Sequence, residues 1–125
     1  MRTPAPRRRI LIVDDEEAMR LLLAKIVQQD LDAEVTLAGT CEAALQLAHV
    51  NAFDAIVLDL MMPGIGGAEL LKRIRADSAS RSAPVVIVSV LGNSPDTKAL
   101  GANVVLSKPV DRRSLVAALK AHLPS

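Results

Sequence analysis

Asp14 and Asp15 directly follow the apolar run Ile10–Val13, and Asp59 directly follows the run Ala55–Leu58. Ser89 lies near the end of a third such run, Val85–Val90, and Lys108 just beyond a fourth, Val104–Leu106. Three carboxylates brought to one point repel one another, and a bound cation relieves that repulsion. Oxygen-only ligands with no histidine or thiolate beside them select a hard ion such as Mg²⁺. An aspartate, with an ordinary pKa of about 3.9, is already anionic at neutral pH and needs no general base to act as a nucleophile. A lysine can neutralise one oxygen of an incoming phosphoryl group and a serine hydroxyl can donate to another. Together these residues have the chemistry of a phosphoryl acceptor. Taken singly, each has a plainer role: Asp14 or Asp15 as a helix cap, Asp59 as a turn opener, Ser89 bonded to its own loop, Lys108 extended to solvent.

The chemistry therefore depends on elements that bring the five residues to one edge. Ile10–Val13 is short, continuous and β-branched, the pattern of a strand buried on both faces. Met19, Leu22, Leu23, Ile26 and Val27 then form the stripe of an amphipathic helix. The alternation recurs: strand Val35–Ala38, then a helix capped by Thr40 with Ala44, Leu47 and Ala48 inward; strand Ala55–Leu58, then a Pro63–Gly67 turn and a helix carrying Leu70, Leu71 and Ile74. Pro84 opens the strand Val85–Val90, a short helical stretch is expected around Pro95–Leu100, and Asp111 can cap a final helix with Leu115, Ala118 and Leu119 inward. Strands alternating with helices through short loops predict an α/β fold, a doubly wound five-stranded parallel sheet with helices on both faces. In such sheets the ligand site lies beyond the carboxyl ends of the strands, where all five residues fall.

Composition removes most other classes. The 125 residues carry a formal charge of +1, so there is no global electrostatic reason to bind nucleic acid or an anionic membrane. The single Cys41 cannot form an internal disulfide, no apolar run reaches the length of a membrane span, and no signal peptide is evident. The expected compartment is the cytoplasm. Phe53 is the sole aromatic, which argues against base stacking and flavin binding. His49 and His122 read as surface residues. Residues 1–8 read as a flexible basic tail and 9–123 as one domain.

With these residues in place, the chain resembles the receiver domain of two-component response regulators and hybrid sensor kinases. The resemblance rests on ILIVDDEE at Ile10–Glu17, AIVLDLMMPGIGG at Ala55–Gly67, VIVSV at Val86–Val90 and GANVVLSKPV at Gly101–Val110, and runs from Arg9 to about Leu123. It implies a flavodoxin-like strand order 2-1-3-4-5, with Asp59 as phosphoacceptor, Asp14 and Asp15 as the acidic pair and Asp15 as the more direct Mg²⁺ ligand. It adds the backbone carbonyl of Met61 as a ligand, Ser89 as the switch hydroxyl, Lys108 as the phosphoryl-contacting lysine, a cis bond before Pro109, and structural roles for Pro63 and Gly67. The implied partner is a histidine kinase or histidine phosphotransfer protein, the implied state a monomer or weak dimer, and the implied role a signalling phosphoacceptor that assists its own phosphorylation rather than a conventional enzyme.

Three positions depart from the family's commonest pattern. Val105 replaces the aromatic switch residue, so the readout is expected to pass through Ser89 and the loop to Pro95, with only a small adjustment at Val105. The spacing from Ser89 to Lys108 is about one helical turn shorter than in many members, a feature shared with receivers of hybrid kinases. Gly66 stands where an aspartate is frequent, which removes a cap from the third helix. The rival readings are a receiver-like protein-binding module that is not phosphorylated, a haloacid-dehalogenase-type hydrolase, which needs a second acid where Met61 stands, and a flavodoxin-like carrier, which needs rings the chain lacks.

Overall fold

A computed structural model describes residues 7–92, 97 and 99–123. The strands are β1 (Arg9–Val13), β2 (Glu34–Ala38), β3 (Ala55–Leu58), β4 (Val85–Ser89) and β5 (Val104–Ser107), and the helices are α1 (Glu17–Leu31), α2 (Cys41–Val50), α3 (Gly66–Ala76) and α4 (Arg112–His122). All strand pairs are parallel, in the order β2-β1-β3-β4-β5. The short helix expected around Pro95–Leu100 lies mostly outside the described residues, although Thr97 is helical.

Strand alternation sorts the core into two layers. Leu11, Val13, Ile56, Leu58, Val85 and Ile87 face α2 and α3, where they meet Ala44, Ala48, Leu70 and Ile74. Ile10, Ile12, Val57, Val86 and Val88 face α1 and α4, against Leu23, Val27, Leu115 and Leu119. Because β1, β3 and β4 are covered on both sides, their sequences read as unbroken apolar runs. Each large side chain buried in this way contributes about 2 kcal/mol of transfer free energy.

The caps read from sequence form where a side-chain oxygen can reach an orphan N–H. Thr40 Oγ1 accepts from Ala43 N at 3.1 Å, and Asp111 Oδ1 accepts from Ser114 N at 2.8 Å. Hydrogen bonds from the Ser114 backbone and hydroxyl hold the Asp111 carboxyl below its ordinary value. That cap therefore stabilises the fold above the ordinary carboxylate range, and its contribution is lost as pH falls through the lowered value. α3 starts at Ile65 without a side-chain cap, and Gly66 takes a left-handed φ of 83°. α1 also lacks a side-chain cap: neither Asp14 nor Asp15 fills that role at its N-cap residue, Glu16.

One reading of α1 needs correction. Leu22, placed on the inward stripe of α1, is 49% exposed, and Ala24 is buried in its stead. The helix packs on the sheet and, along one side, against its neighbour α4, so its covered face is turned toward Leu23, Ala24, Ile26 and Val27. Arg7 and Arg8, assigned to the tail, are tied to the body. The Arg7 guanidinium lies 3.2 Å from the Asp32 carboxylate at the end of α1, and the Arg8 carbonyl accepts from Glu34 N at 2.7 Å, one bond beyond β1. Residues 1–6 lie outside the described residues. α1 and α4 are further joined by Arg112, which donates through Nε to Asp30 Oδ2 at 2.7 Å.

Candidate functional site

Parallel pairing sets the site. Val13 is in register with Leu58, so the residues that follow them, Asp14 and Asp59, leave the sheet side by side. Their backbones extend the ladder by one bond each, Asp59 N to Val13 O at 3.0 Å and Asp14 N to Ala38 O at 3.2 Å. At the other side Ser89 is in register with Ser107, and the Ser89 carbonyl accepts both Lys108 N at 3.0 Å and Gly92 N at 3.1 Å. Thus β1, β3, β4 and β5 deliver all five expected residues to one rim.

At that rim the side chains converge. Lys108 Nζ lies 3.0 Å from Asp14 Oδ2 and 3.0 Å from Asp59 Oδ2. Asp14 is 1% exposed and Asp59 5%, whereas Asp15 is exposed. One carboxylate oxygen from each of Asp14, Asp15 and Asp59 falls within 4.8 Å of the others. The remaining oxygens are also fixed: Asp14 Oδ1 accepts from Glu16 N and Asp59 Oδ1 from Met61 N, each at 3.0 Å. Burial pulls the Lys108 ammonium down, but hydrogen bonds and charge from Asp59 and Asp14 outweigh it and leave the group above its ordinary value. The lysine is therefore protonated throughout the neutral range. Three carboxylates against one ammonium leave the cluster negative, and its all-oxygen donor set fits a hard divalent cation.

The other expected residues lie on the adjoining strands and loops. Ser89 is fully buried, and its hydroxyl oxygen accepts from Leu91 N at 3.3 Å, so it is turned toward its own loop. Of that loop, residues 93–95 lie outside the described residues. Val105 is half-buried against the α2–α3 layer, paired with Ile87. The peptide between Lys108 and Pro109 is cis. The Pro63 carbonyl is 3.7 Å from the Sγ of Cys41, a thiol whose pKa is raised by its burial. The Met61 side chain is 54% exposed, and among the described residues its carbonyl accepts no hydrogen bond.

Gly67 supports the loop after Asp59 from below. A Cβ there would stand 2.5 Å from the Asp59 carbonyl oxygen and 2.6 Å from Leu60 Cα, both backbone atoms that cannot swing aside. Gly67→Ala gains about 1 kcal/mol of helix propensity. The overlap outweighs it, because relieving such a clash costs typically ~3 kcal/mol. We expect urea unfolding to show a net loss of about 2 kcal/mol, with Asp59 displaced. An unchanged midpoint would mean that the loop is not held by this contact.

Sequence reasoning missed Arg20. It sits in the first turn of α1 and donates from Nη1 to the Asp14 carbonyl at 2.9 Å. Its signal was available: a cation in the first turn of a helix opposes the helix dipole. Elsewhere on the surface a hollow of about 650 Å³ lies beside Asp111 and Arg112 and another of about 480 Å³ along the outer face of α2.

Residues 10–120 match the family model described as the response regulator receiver domain. The chain is 34% identical over 117 residues to the sensory transduction protein RegX3 of Mycolicibacterium smegmatis, a match that covers 91% of this chain and 50% of that protein. It is 36% identical over 117 residues to the response regulator PleD of Caulobacter vibrioides, covering 90% of this chain and 25% of that one. The chain thus spans half or less of the length of these relatives. Among solved structures, the chemotaxis response regulator CheY4 of Vibrio cholerae superposes with a TM-score of 0.84 at 30% identity, over 94% of this chain and 99% of that one. The receiver domain of sensor histidine kinase PA1611 from Pseudomonas aeruginosa, with a magnesium ion coordinated in its active site cleft, gives 0.85 at 25% identity, over 97% of this chain and 100% of that one. Among the described residues no helix is long and apolar enough to cross a membrane.

Proposed function

The chain belongs to the response regulator receiver domain family, a family of signalling phosphoacceptors, and on that premise we propose that Asp59 takes a phosphoryl group from the phosphohistidine of a histidine kinase or histidine phosphotransfer protein. The observation that carries this reading is Lys108 Nζ at 3.0 Å from both Asp14 and Asp59. It holds the acceptor carboxylate in a fixed orientation and places a permanent cation where an oxygen of the incoming group would sit.

An oxygen of Asp59 attacks phosphorus, the phosphorus–nitrogen bond of the donor breaks, and its electron pair stays on the imidazole. The product is an acyl phosphate on Asp59. Lys108 pairs with one phosphoryl oxygen, and the Ser89 hydroxyl turns from its loop to donate to another. Asp14, Asp15, Asp59 and the Met61 carbonyl would hold Mg²⁺, which when bound offsets the negative charge shared by the carboxylates and the phosphoryl group. The unpartnered Met61 carbonyl and the exposed Asp15 support that set, as does the magnesium in the P. aeruginosa neighbour. The change at Ser89 then alters the surface of the loop that follows it, while the aliphatic Val105 moves little. In this reading the exchange takes place in the cytoplasm. The 1–8 tail and 9–123 domain division is retained in this reading, with Arg7 and Arg8 as the joint between them.

Incubation with acetyl phosphate and MgCl₂, followed by intact mass measurement, tests the proposal. The expected result is a gain of one phosphoryl group, dependent on the metal, released by hydroxylamine and mapping to the peptide that contains Asp59. No gain under these conditions would favour a binding module that is not phosphorylated.

A further inference from the structure

We infer that Arg20 is a positioning residue for the cation site, acting through the peptide that joins Asp14 to Asp15; the inference rests on the metal-binding part of the proposal above. Asp15 is held differently from the other two acids of the cluster. Asp14 and Asp59 have carboxylates pinned by Lys108 and by a backbone N–H. Asp15 is exposed, and among the described residues its carboxylate accepts no hydrogen bond. Its direction is therefore set by the backbone from which it projects.

That backbone is held by Arg20. Nη1 donates to the Asp14 carbonyl at 2.9 Å, which fixes the plane of the Asp14–Asp15 peptide. A helical side chain leans back toward the N-terminus, so a residue in the first turn of α1 is placed to reach it. The position opposes the helix dipole, and Glu16 and Glu17 stand close by in sequence. Nevertheless the guanidinium's hydrogen bond goes to a carbonyl rather than to either carboxylate. Gly39 leaves room for it on the other side. A Cβ on Gly39 would lie 2.8 Å from Arg20 Nη1 and 3.2 Å from Cζ, so the guanidinium occupies the space that a side chain at the start of the β2–α2 connection would need.

Charge and position predict opposite signs. As a charge alone, Arg20 repels a cation, and its removal would tighten metal binding. As a positioning group, it keeps Asp15 aimed, and its removal weakens metal binding. Gly39→Ala separates the two, because it pushes the guanidinium off the Asp14 carbonyl while leaving its charge in place.

The test is titration of the unphosphorylated full chain with MgCl₂, followed by amide chemical shifts, which also report folding. Arg20→Gln and Gly39→Ala are each expected to weaken magnesium binding by about tenfold, the usual effect of losing a group that orients a ligand. Arg20→Lys, which keeps a charge and a donor, should lose less. An affinity in Arg20→Gln equal to or tighter than that of the unmodified chain overturns the inference, as does an unchanged affinity in Gly39→Ala. Labelling by acetyl phosphate is followed separately. A chain that binds magnesium but is never phosphorylated refutes the phosphoacceptor role without touching Arg20, whereas failure of the unmodified chain to bind magnesium refutes both.

Discussion

Asp59→Asn is expected to incorporate phosphoryl groups from acetyl phosphate or from a phosphohistidine donor at least about a thousandfold less than the unmodified chain. The amide keeps the shape of the carboxylate but has a single oxygen, so it can accept from Met61 N or from Lys108 and not from both. It lacks the anionic oxygen that attacks phosphorus. The variant is informative because Asp14 is so nearly equivalent: it too meets Lys108 at 3.0 Å and accepts one backbone N–H at 3.0 Å. The two differ in access, Asp14 being 1% exposed and Asp59 5%. Intact mass measurement decides between them. A labelled Asp59→Asn protein that loses its phosphoryl group to hydroxylamine would transfer the acceptor role to Asp14 or Asp15; one that keeps it would point to a hydroxyl such as Ser89.

Lys108→Ala is expected to lower the phosphorylation rate by about a hundredfold, the effect of deleting one preorganised donor. It also removes the ammonium that two buried carboxylates share, and breaking a pair of that kind costs about 3 kcal/mol. For a chain of this size the melting temperature should fall by roughly 10 °C. Added MgCl₂ should raise the melting temperature of the variant more than that of the unmodified chain, because the carboxylates then lack their internal cation. The pH dependence has a defined sign. Since the Lys108 pKa is raised in the folded state, its pairing stabilises the fold fully below the ordinary lysine value and is lost as pH rises through the higher, folded value. Thermal melts with and without magnesium measure both effects. A Lys108→Ala protein that melts like the unmodified chain would show that the two 3.0 Å contacts contribute little.

What could be read in advance follows from how the elements are buried. β1, β3 and β4 are enclosed on both faces, so their apolar runs stop where the chain emerges, and the first polar residues, Asp14 and Asp59, mark the rim. The caps Thr40 and Asp111 were legible because capping is local. Leu22 was not, because α1 touches both sheet and α4, and periodicity fixes the width of an apolar stripe better than its rotation. Adjacent Asp14 and Asp15 look alike in sequence, but strand alternation turns one inward to Lys108 and leaves the other in solvent. For Arg20 the sequence offered its unfavourable place in the first turn of α1, but no side-chain pattern names its partner, because that partner is a carbonyl.

One backbone oxygen has a mechanical consequence. Both lone pairs of the Ser89 carbonyl are occupied, by the amides of Gly92 and Lys108, so that peptide cannot tilt for one neighbour alone. A pull on the serine is delivered in the same instant to the turn outside the sheet and to the strand end that carries the lysine. On the reading proposed above, sensing and signalling would share this joint, a lever that needs no aromatic rotor to carry chemistry at the rim toward the surface.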